Sequence, residues 1–311
     1  MLLKLSETWT RWAAYTKSRW QKFGYLLSLA SFAYLVLLLV YGGLQLWNIN
    51  WVRYSFPILG ALIIHLISSV LQFFIWARLL SDHHQIGWQD LAIYSRVLML
   101  RRLPGGVWHW IGRTAMYSES TKVSAKVSGL ANFVEWAMLI LTAAGISVAT
   151  MGSLPLFVRL PVATLVIGVA IWIGFSWQLR TSAWLKRLME STIWVFLYGI
   201  AWWLGGLVVY WCAQTTQILL GSINPLDLTN ATRIWASAAG GSMILVFVPS
   251  GLGIREISIT WLLQNYLPSA GALAIALLIR FVFTLGDFLW GSLGWYSSNW
   301  VLRRKTKLME N

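Results

Sequence analysis

A chain of 311 residues with 58% hydrophobic and only 11% charged residues, and a mean hydropathy of +0.65, carries less than half the charge share of a soluble globular domain, about 25%. That composition argues against a water-soluble enzyme and for an all-α polytopic membrane protein. The net charge of +14 would suit a nucleic-acid binder, but the basic residues gather at the chain ends and in short loops, with no basic stripe of base-stacking aromatics, so nucleic acid is not an expected partner.

Residues 1–22, MLLKLSETWTRWAAYTKSRWQK, read as a cytoplasmic amphipathic leader, with Trp9, Trp12, Tyr15 and Trp20 among basic residues. The apolar run that follows is too long for the core of a cleaved signal peptide and reads as an anchor. Full spans are expected over roughly 23–47, 57–77, 128–150, 160–177, 192–213 and 269–296, since about 20 apolar residues cross a bilayer. Two more apolar stretches, about 90–112 and 228–266, are broken by Pro and Gly and punctured by arginine. Residues 301–311 form a basic cytoplasmic tail. The 22 tryptophans suit the membrane–water interface.

Orientation follows from the basic residues. If both broken stretches re-enter and return to their own side, Lys4, Arg11, Lys17, Arg19, Lys22, Arg78, Arg113, Lys122, Lys126, Arg180, Lys186, Arg187, Arg303, Arg304, Lys305 and Lys307 lie inside, and only Arg53 and Arg159 outside. That is the positive-inside pattern, with both termini cytoplasmic in a cell (inner or plasma) membrane. A spanning 90–112 would flip every later loop and destroy the asymmetry.

The broken stretches also resemble each other. Asp90-Leu91 and Asp227-Leu228 each precede an arginine placed six residues after the Asp, Arg96 and Arg233. Each stretch then reaches a helix break, Pro104-Gly105-Gly106 in one and Pro249, Gly251 and Gly253 in the other, followed by Arg113 or Arg255. With opposite starting sides this is an inverted repeat, repeat one about 23–150 and repeat two about 160–296. In transporters of that design the substrate sits at broken helices near the midplane.

Arginines at membrane depth need partners, because a charge at the bilayer centre costs roughly 2.5–3.5 kcal/mol or more. Arg96, Arg101, Arg102, Arg233, Arg255 and Arg280 fall inside or beside membrane segments, with Glu135, Glu256 and Asp287 as the acids at similar depth. Asp287, two turns after Arg280 on one helix face, is its expected partner. At least one arginine is left over, and the planar guanidinium suits phosphate. Adjacent Arg101 and Arg102 are about 100° apart on a helix and cannot share a narrow face. The expected phosphate-binding set is therefore Arg96, Arg101, Arg113, Arg233, Arg255 and Arg280, with Glu135, Glu256 and Asp287 as charge partners.

Other polar residues carry less. His65 reads as an interhelical hydrogen-bonding residue, and His109 as an interfacial one. Asp82, His83 and His84 lack a distant partner ligand, and the lone Cys212 excludes a multi-cysteine metal site. The glycines of PSGLGIRE do not complete a dinucleotide fingerprint. No cofactor, metal or catalytic residue is expected.

At PGGVWHWIGR and PSGLGIREIS the sequence resembles the transmembrane region of the lysylphosphatidylglycerol synthase family, a flippase-like domain, over about residues 20–300. Pro249, Gly251, Gly253 and Glu256 match that family's Pro-Gly-Gly-Leu-Gly-x-x-Glu, Pro104–Gly106 with Arg113 match its first break, and Glu135 stands at a commonly acidic position. Ser250, and the bulky Trp108-His109-Trp110 in place of small residues, depart from it. The resemblance implies a stand-alone module that moves an anionic-headgroup phospholipid or a polyprenyl-phosphate-linked lipid, beside a separately encoded synthase or glycosyltransferase. The soluble synthase domain of bifunctional members is not expected here. The alternatives are a membrane glycosyl- or acyltransferase using Asp82, Asp90, His83 or His109, and a non-catalytic subunit of a lipid-modifying synthase.

Overall fold

The computed structural model describes residues 51–81, 84–100, 108–121, 123–178, 184–220, 223–244 and 253–309. Among them the chain is helical throughout: α1 Trp51–Leu80, α2 Trp88–Leu100, α3 Trp108–Ser120, α4 Ala125–Ala149, α5 Leu156–Trp177, α6 Trp184–Leu220, α7 Leu228–Ile244, α8 Ile254–Leu263 and α9 Ser269–Met309. Five helices are long and apolar enough to cross a membrane, over Ser55–Leu80, Ala125–Ala149, Leu156–Trp177, Trp184–Gln214 and Ser269–Gly294. They take up five of the six expected spans; the sixth, 23–47, and the leader lie outside the described residues. The protein is an all-α, multi-pass membrane protein.

The two broken stretches are helical hairpins. With 13 residues each, α2 and α3 are about 20 Å long; α7 and α8, with 17 and 10, reach about 25 and 15 Å. None matches the roughly 30 Å hydrocarbon core. Hydrogen bonds close each hairpin at its base. Gln89 Nε2, at the start of α2, donates to Ser120 O, at the end of α3, at 2.6 Å. Before α7 and after α8, Ile223 N donates to Tyr266 O at 3.0 Å and Asn224 Nδ2 to Asn265 O at 2.8 Å. Each chain segment thus returns to the side it left.

The aspartates of the repeat motif start these hairpins. Asp90 reaches back to accept from Gly87 N at 2.7 Å, and Asp227 accepts from Asn230 N at 2.6 Å. Both oxygens meet amides that the first helical turn leaves orphaned. The first hairpin extends beyond 90–112 to Ser120, so Arg113 belongs to its second limb and is buried instead of lying in a cytoplasmic loop.

Part of the packing is kept when the two halves are exchanged, although α6 packs extensively on α7 while α1 only touches α2. Spans α1 and α6 pack on each other. Span α4 of the first half packs on α7 of the second hairpin, and α9 of the second half packs on α2 of the first. Small residues permit these crossings. A Cβ on Gly240 of α7 would lie 2.6 Å from Ala143 Cβ on α4, and one on Gly294 of α9 would lie 2.4 Å from Ser95 Cβ on α2. Peripheral α5 buries only the stripe Ala163, Ala170 and Gly174, while Phe157, Leu165 and Trp172 face outward, as a lipid-facing helix requires.

Tryptophan does more than mark the interface. Trp136 Nε1 donates to Met243 O at 3.2 Å, Trp202 Nε1 to Leu139 O at 3.2 Å and Trp290 Nε1 to Leu66 O at 3.3 Å. An indole is long and rigid enough to carry one donor to a neighbouring helix's carbonyl where no water competes.

In a Cys212→Ser background, single cysteines at Ile86 and Ser118 should react with an impermeant maleimide from one face of the membrane, and cysteines at Ile223 and Gln264 from the other. Labelling of 86 and 118 from opposite faces would show that the first hairpin spans.

Candidate functional site

The membrane-depth charges collect at two places, each joining the second limb of a hairpin to the span that follows it. In the first half, Arg113 on α3 donates from Nη2 to Glu135 Oε2 on α4 at 2.5 Å, both side chains buried. Its guanidinium carbon sits 3.8 Å from the Trp76 ring centroid and 5.5 Å from that of Tyr94, which surround the charge with aromatic faces. In the second half the charges are exchanged: the acid, Glu256, is on the limb α8 and the base, Arg280, is on the span α9, Nη1 to Oε1 at 2.8 Å.

Glu256 has two further contacts. Its Oε2 accepts from Gly253 N at 2.9 Å, closing the N-terminus of α8, and Arg255 Nη2 lies 3.6 Å from Oε1. Gly253 has φ 86°, a left-handed conformation that glycine adopts without the clash a Cβ brings. Arg255 also stands 5.8 Å from the ring centroid of Trp235. Ionised, the three side chains Arg255, Glu256 and Arg280 carry one net positive charge, on a site whose arginines retain about 15% and 18% of their side-chain surface.

A tryptophan stands between the two hairpins. Trp110, at the start of α3, meets Trp136 of α4 edge-on at 5.8 Å, and the Trp136 indole binds Met243 O near the end of α7. Trp136 of α4 thus touches the start of α3 and the end of α7. This gives Trp110 of the unusual Trp108-His109-Trp110 a role: its ring packs on Trp136 of the following span. His109 lines, with Tyr94, Val97, Leu98 and Arg113, a cavity of about 10 Å³, room for a single water. Tyr198 on α6 is fully buried, and its hydroxyl has no hydrogen bond among the described residues.

Sequence reading named these residues but mispaired one. Asp287 does not meet Arg280; its Oδ1 lies 3.1 Å from His65 Nε2 on α1, while Arg280 turns to Glu256. Two turns separate residues 280 and 287 on α9, too far for direct contact, and each finds a closer partner on another helix. Arg233 stays near the base of the second hairpin, held by Asn230 Oδ1 at 3.0 Å and Tyr266 Oη at 3.4 Å, away from the cluster at its inner end. Arg96 lies partly buried on α2 where α9 crosses closely at Gly294. Asp90, which a surface enzyme would use, is buried as part of the α2 start, with His84 Nε2 3.3 Å away and Tyr117 beside it. Arg101, Pro104, Gly105, Gly106, Pro249 and Gly251 lie outside the described residues, as do Asp82 and His83.

Removing one member of a buried ion pair strands the other, at a cost of about 3–5 kcal/mol, whereas replacing both by apolar residues of similar size is close to neutral. Arg113→Met and Glu135→Leu should each lower the unfolding free energy in detergent by roughly that amount, and the double variant should recover most of it. Additive losses in the double variant would show that the two side chains do not act as a pair.

Compared with known protein families, with characterised proteins and with solved structures, the chain matches none.

Proposed function

We propose that this protein is a membrane lipid translocase that carries a lipid with an anionic headgroup, a phospholipid or a polyprenyl-phosphate-linked lipid. One observation carries the reading: Trp136 of α4 touches both half-membrane hairpins, and the second ends in the cluster Arg255–Glu256–Arg280. Among the described residues at membrane depth, four arginines (Arg96, Arg113, Arg255 and Arg280) stand with three acids (Glu135, Glu256 and Asp287), and Asp287 lies beside a histidine. Such an excess of guanidinium in a low-dielectric place is suited to a phosphate, which accepts two parallel hydrogen bonds from one arginine. Glu256 holds both guanidinium groups in position while no anion is bound.

The resemblance of the two breaks to the lysylphosphatidylglycerol synthase transmembrane region supports the same reading, as does the positive-inside placement of the loops in a cell membrane with both termini cytoplasmic. A separately encoded lipid synthase or glycosyltransferase is the partner that this reading implies. Against a surface transferase stands Asp90, whose carboxylate is occupied in starting α2.

Purified protein in phosphatidylethanolamine–phosphatidylglycerol vesicles should move a fluorescent phosphatidylglycerol from the inner to the outer leaflet, read by dithionite quenching. Arg255→Ala and Arg280→Ala should each slow this about tenfold or more, the worth of one charge-assisted hydrogen bond of roughly 1.5–3 kcal/mol. Ser118→Ala should leave it unchanged. Equal rates in both arginine variants would reject this cluster as the site, and no movement of any anionic lipid would reject the translocase.

A further inference from the structure

We infer that Arg233 and Tyr266 form a second phosphate-binding subsite at the base of the second hairpin, where the headgroup of a translocated lipid is held at one end of its passage. The inference deepens the translocase reading and rests on it for the source of the phosphate.

The subsite stands apart from the cluster at the inner end of the hairpin. Three spans, α4, α5 and α6, lie between the two hairpins, so the hairpin bases are on opposite faces of the membrane. Arg233 is five residues into α7, about 8 Å from the start of that helix. Arg255 is eight residues from the end of α8, about 12 Å. The two arginines thus serve different depths of one hairpin, and a headgroup at the membrane surface meets Arg233 first.

Arg233 is held in an unusual way for an arginine of this fold. Arg113 and Arg280 are each paired with a glutamate. Arg233 instead meets neutral oxygens, its Nη2 donating to Asn230 Oδ1 at 3.0 Å and to Tyr266 Oη at 3.4 Å. Among the described residues no carboxylate pairs with it, and its Nε and Nη1 donate to nothing. Asp227 meets the group only through Asn230, from whose N and Nδ2 it accepts at 2.6 and 3.0 Å. That carboxylate is exposed, so water and salt screen its charge. Neutral acceptors therefore fix the guanidinium in place while leaving its charge and its remaining donors to a ligand.

Tyr266 supplies a second donor at the same spot. Its Oη accepts from Arg233, and its own hydroxyl proton meets no acceptor among the described residues. That proton rotates to suit a partner. A phosphate oxygen beside the guanidinium can take hydrogen bonds from Arg233 and Tyr266 together. Both side chains are half-buried, open to a headgroup yet partly sheltered from water.

The groups are also set in place before a ligand arrives. Tyr266 is anchored through its backbone, with O accepting from Ile223 N at 3.0 Å and N donating to Leu263 O at 2.9 Å. Beside Arg233, α7 lies so close on α6 that a Cβ on Gly206 would run into the backbone of Thr232. A site ordered in advance loses little freedom when it binds.

The test counts ligands on the full-length protein by native mass spectrometry, with phosphatidylglycerol, diacylglycerol or inorganic phosphate added. The wild type should hold phosphatidylglycerol at two sites and diacylglycerol, which lacks the phosphate, at neither. Arg233→Gln, checked as monodisperse, should weaken one of these sites about tenfold, the worth of one charge-assisted hydrogen bond. Arg255→Ala should weaken the other. Tyr266→Phe should weaken the Arg233 site several-fold, and Arg233→Lys should retain part of its affinity. Arg159→Gln, which removes a cation of the same membrane face on α5, should change neither. Wild-type affinities in both Arg233→Gln and Tyr266→Phe would overturn the subsite and leave the translocase reading to Arg255 and Arg280. Binding of inorganic phosphate at Arg233 without phosphatidylglycerol would overturn the lipid as its source. Phosphatidylglycerol held at both sites but never moved across vesicles would overturn the translocase reading and leave the subsite standing.

Discussion

A helix that stops halfway across a bilayer leaves amides and carbonyls where no water can reach them, and each unmet group costs several kcal/mol. Much of the described architecture answers that constraint. At the inner end of α7 the carbonyl of Met243 takes its donor from the Trp136 indole on another helix. At the start of α8 the amide of Gly253 takes its acceptor from Glu256, three residues along. At the outer ends the same need is met by Asp90, Asp227 and the bonds across each hairpin base. Half-helices persist here because their ends are satisfied by protein, and one of the groups that satisfies them, Glu256, also holds Arg280.

Glu256 shows how closely structure and chemistry are joined. One of its oxygens closes the helix end and the other faces Arg280 and Arg255. A residue needed for folding the half-helix thereby places two guanidinium groups at its tip. In the first half the corresponding tie, Arg113–Glu135, is complete in itself: one cation, one anion, aromatic faces around the guanidinium and room for a single water. The halves share a packing plan but not a charge, and the asymmetry puts the positive excess in the second.

How much of this the sequence shows depends on the range of the interaction. The spans are legible because hydrophobicity over about 20 residues is a local property. The re-entrant hairpins are legible because the side on which Lys and Arg fall reports topology, and the matched Asp-Leu motifs mark two equivalent helix starts. The partner of Arg280 is not legible. Sequence spacing offers Asp287 on the same helix, but contact with Glu256 depends on how α8 lies against α9, a tertiary fact with no periodic signature. His65 is visible only as a polar residue in an apolar run; its acid lies 222 positions away in the chain. The Trp108-His109-Trp110 insertion is opaque for the same reason, since the ring that receives Trp110 is on α4 and the carbonyl behind it is on α7.

The exchange symmetry also bears on how the halves would move. Each hairpin is gripped by the final span of the opposite half, α2 by α9 and α7 by α4, with side chains so small at the crossings that the backbones nearly touch. The first limb α2 is held mainly by α9 of the other half, whereas α7 is held both by α6 of its own half and by α4 of the other, and each second limb is tied by an ion pair to the span that follows. Tight small-residue crossings resist separation more than sliding, because sliding exchanges one close contact for another while separation forfeits them. The two ion pairs each lie within one half, whereas the Trp136–Met243 bond joins α4 to α7, so it is the directional contact that a sliding motion would have to break. Such a motion would carry each second limb along with the span to which its ion pair ties it.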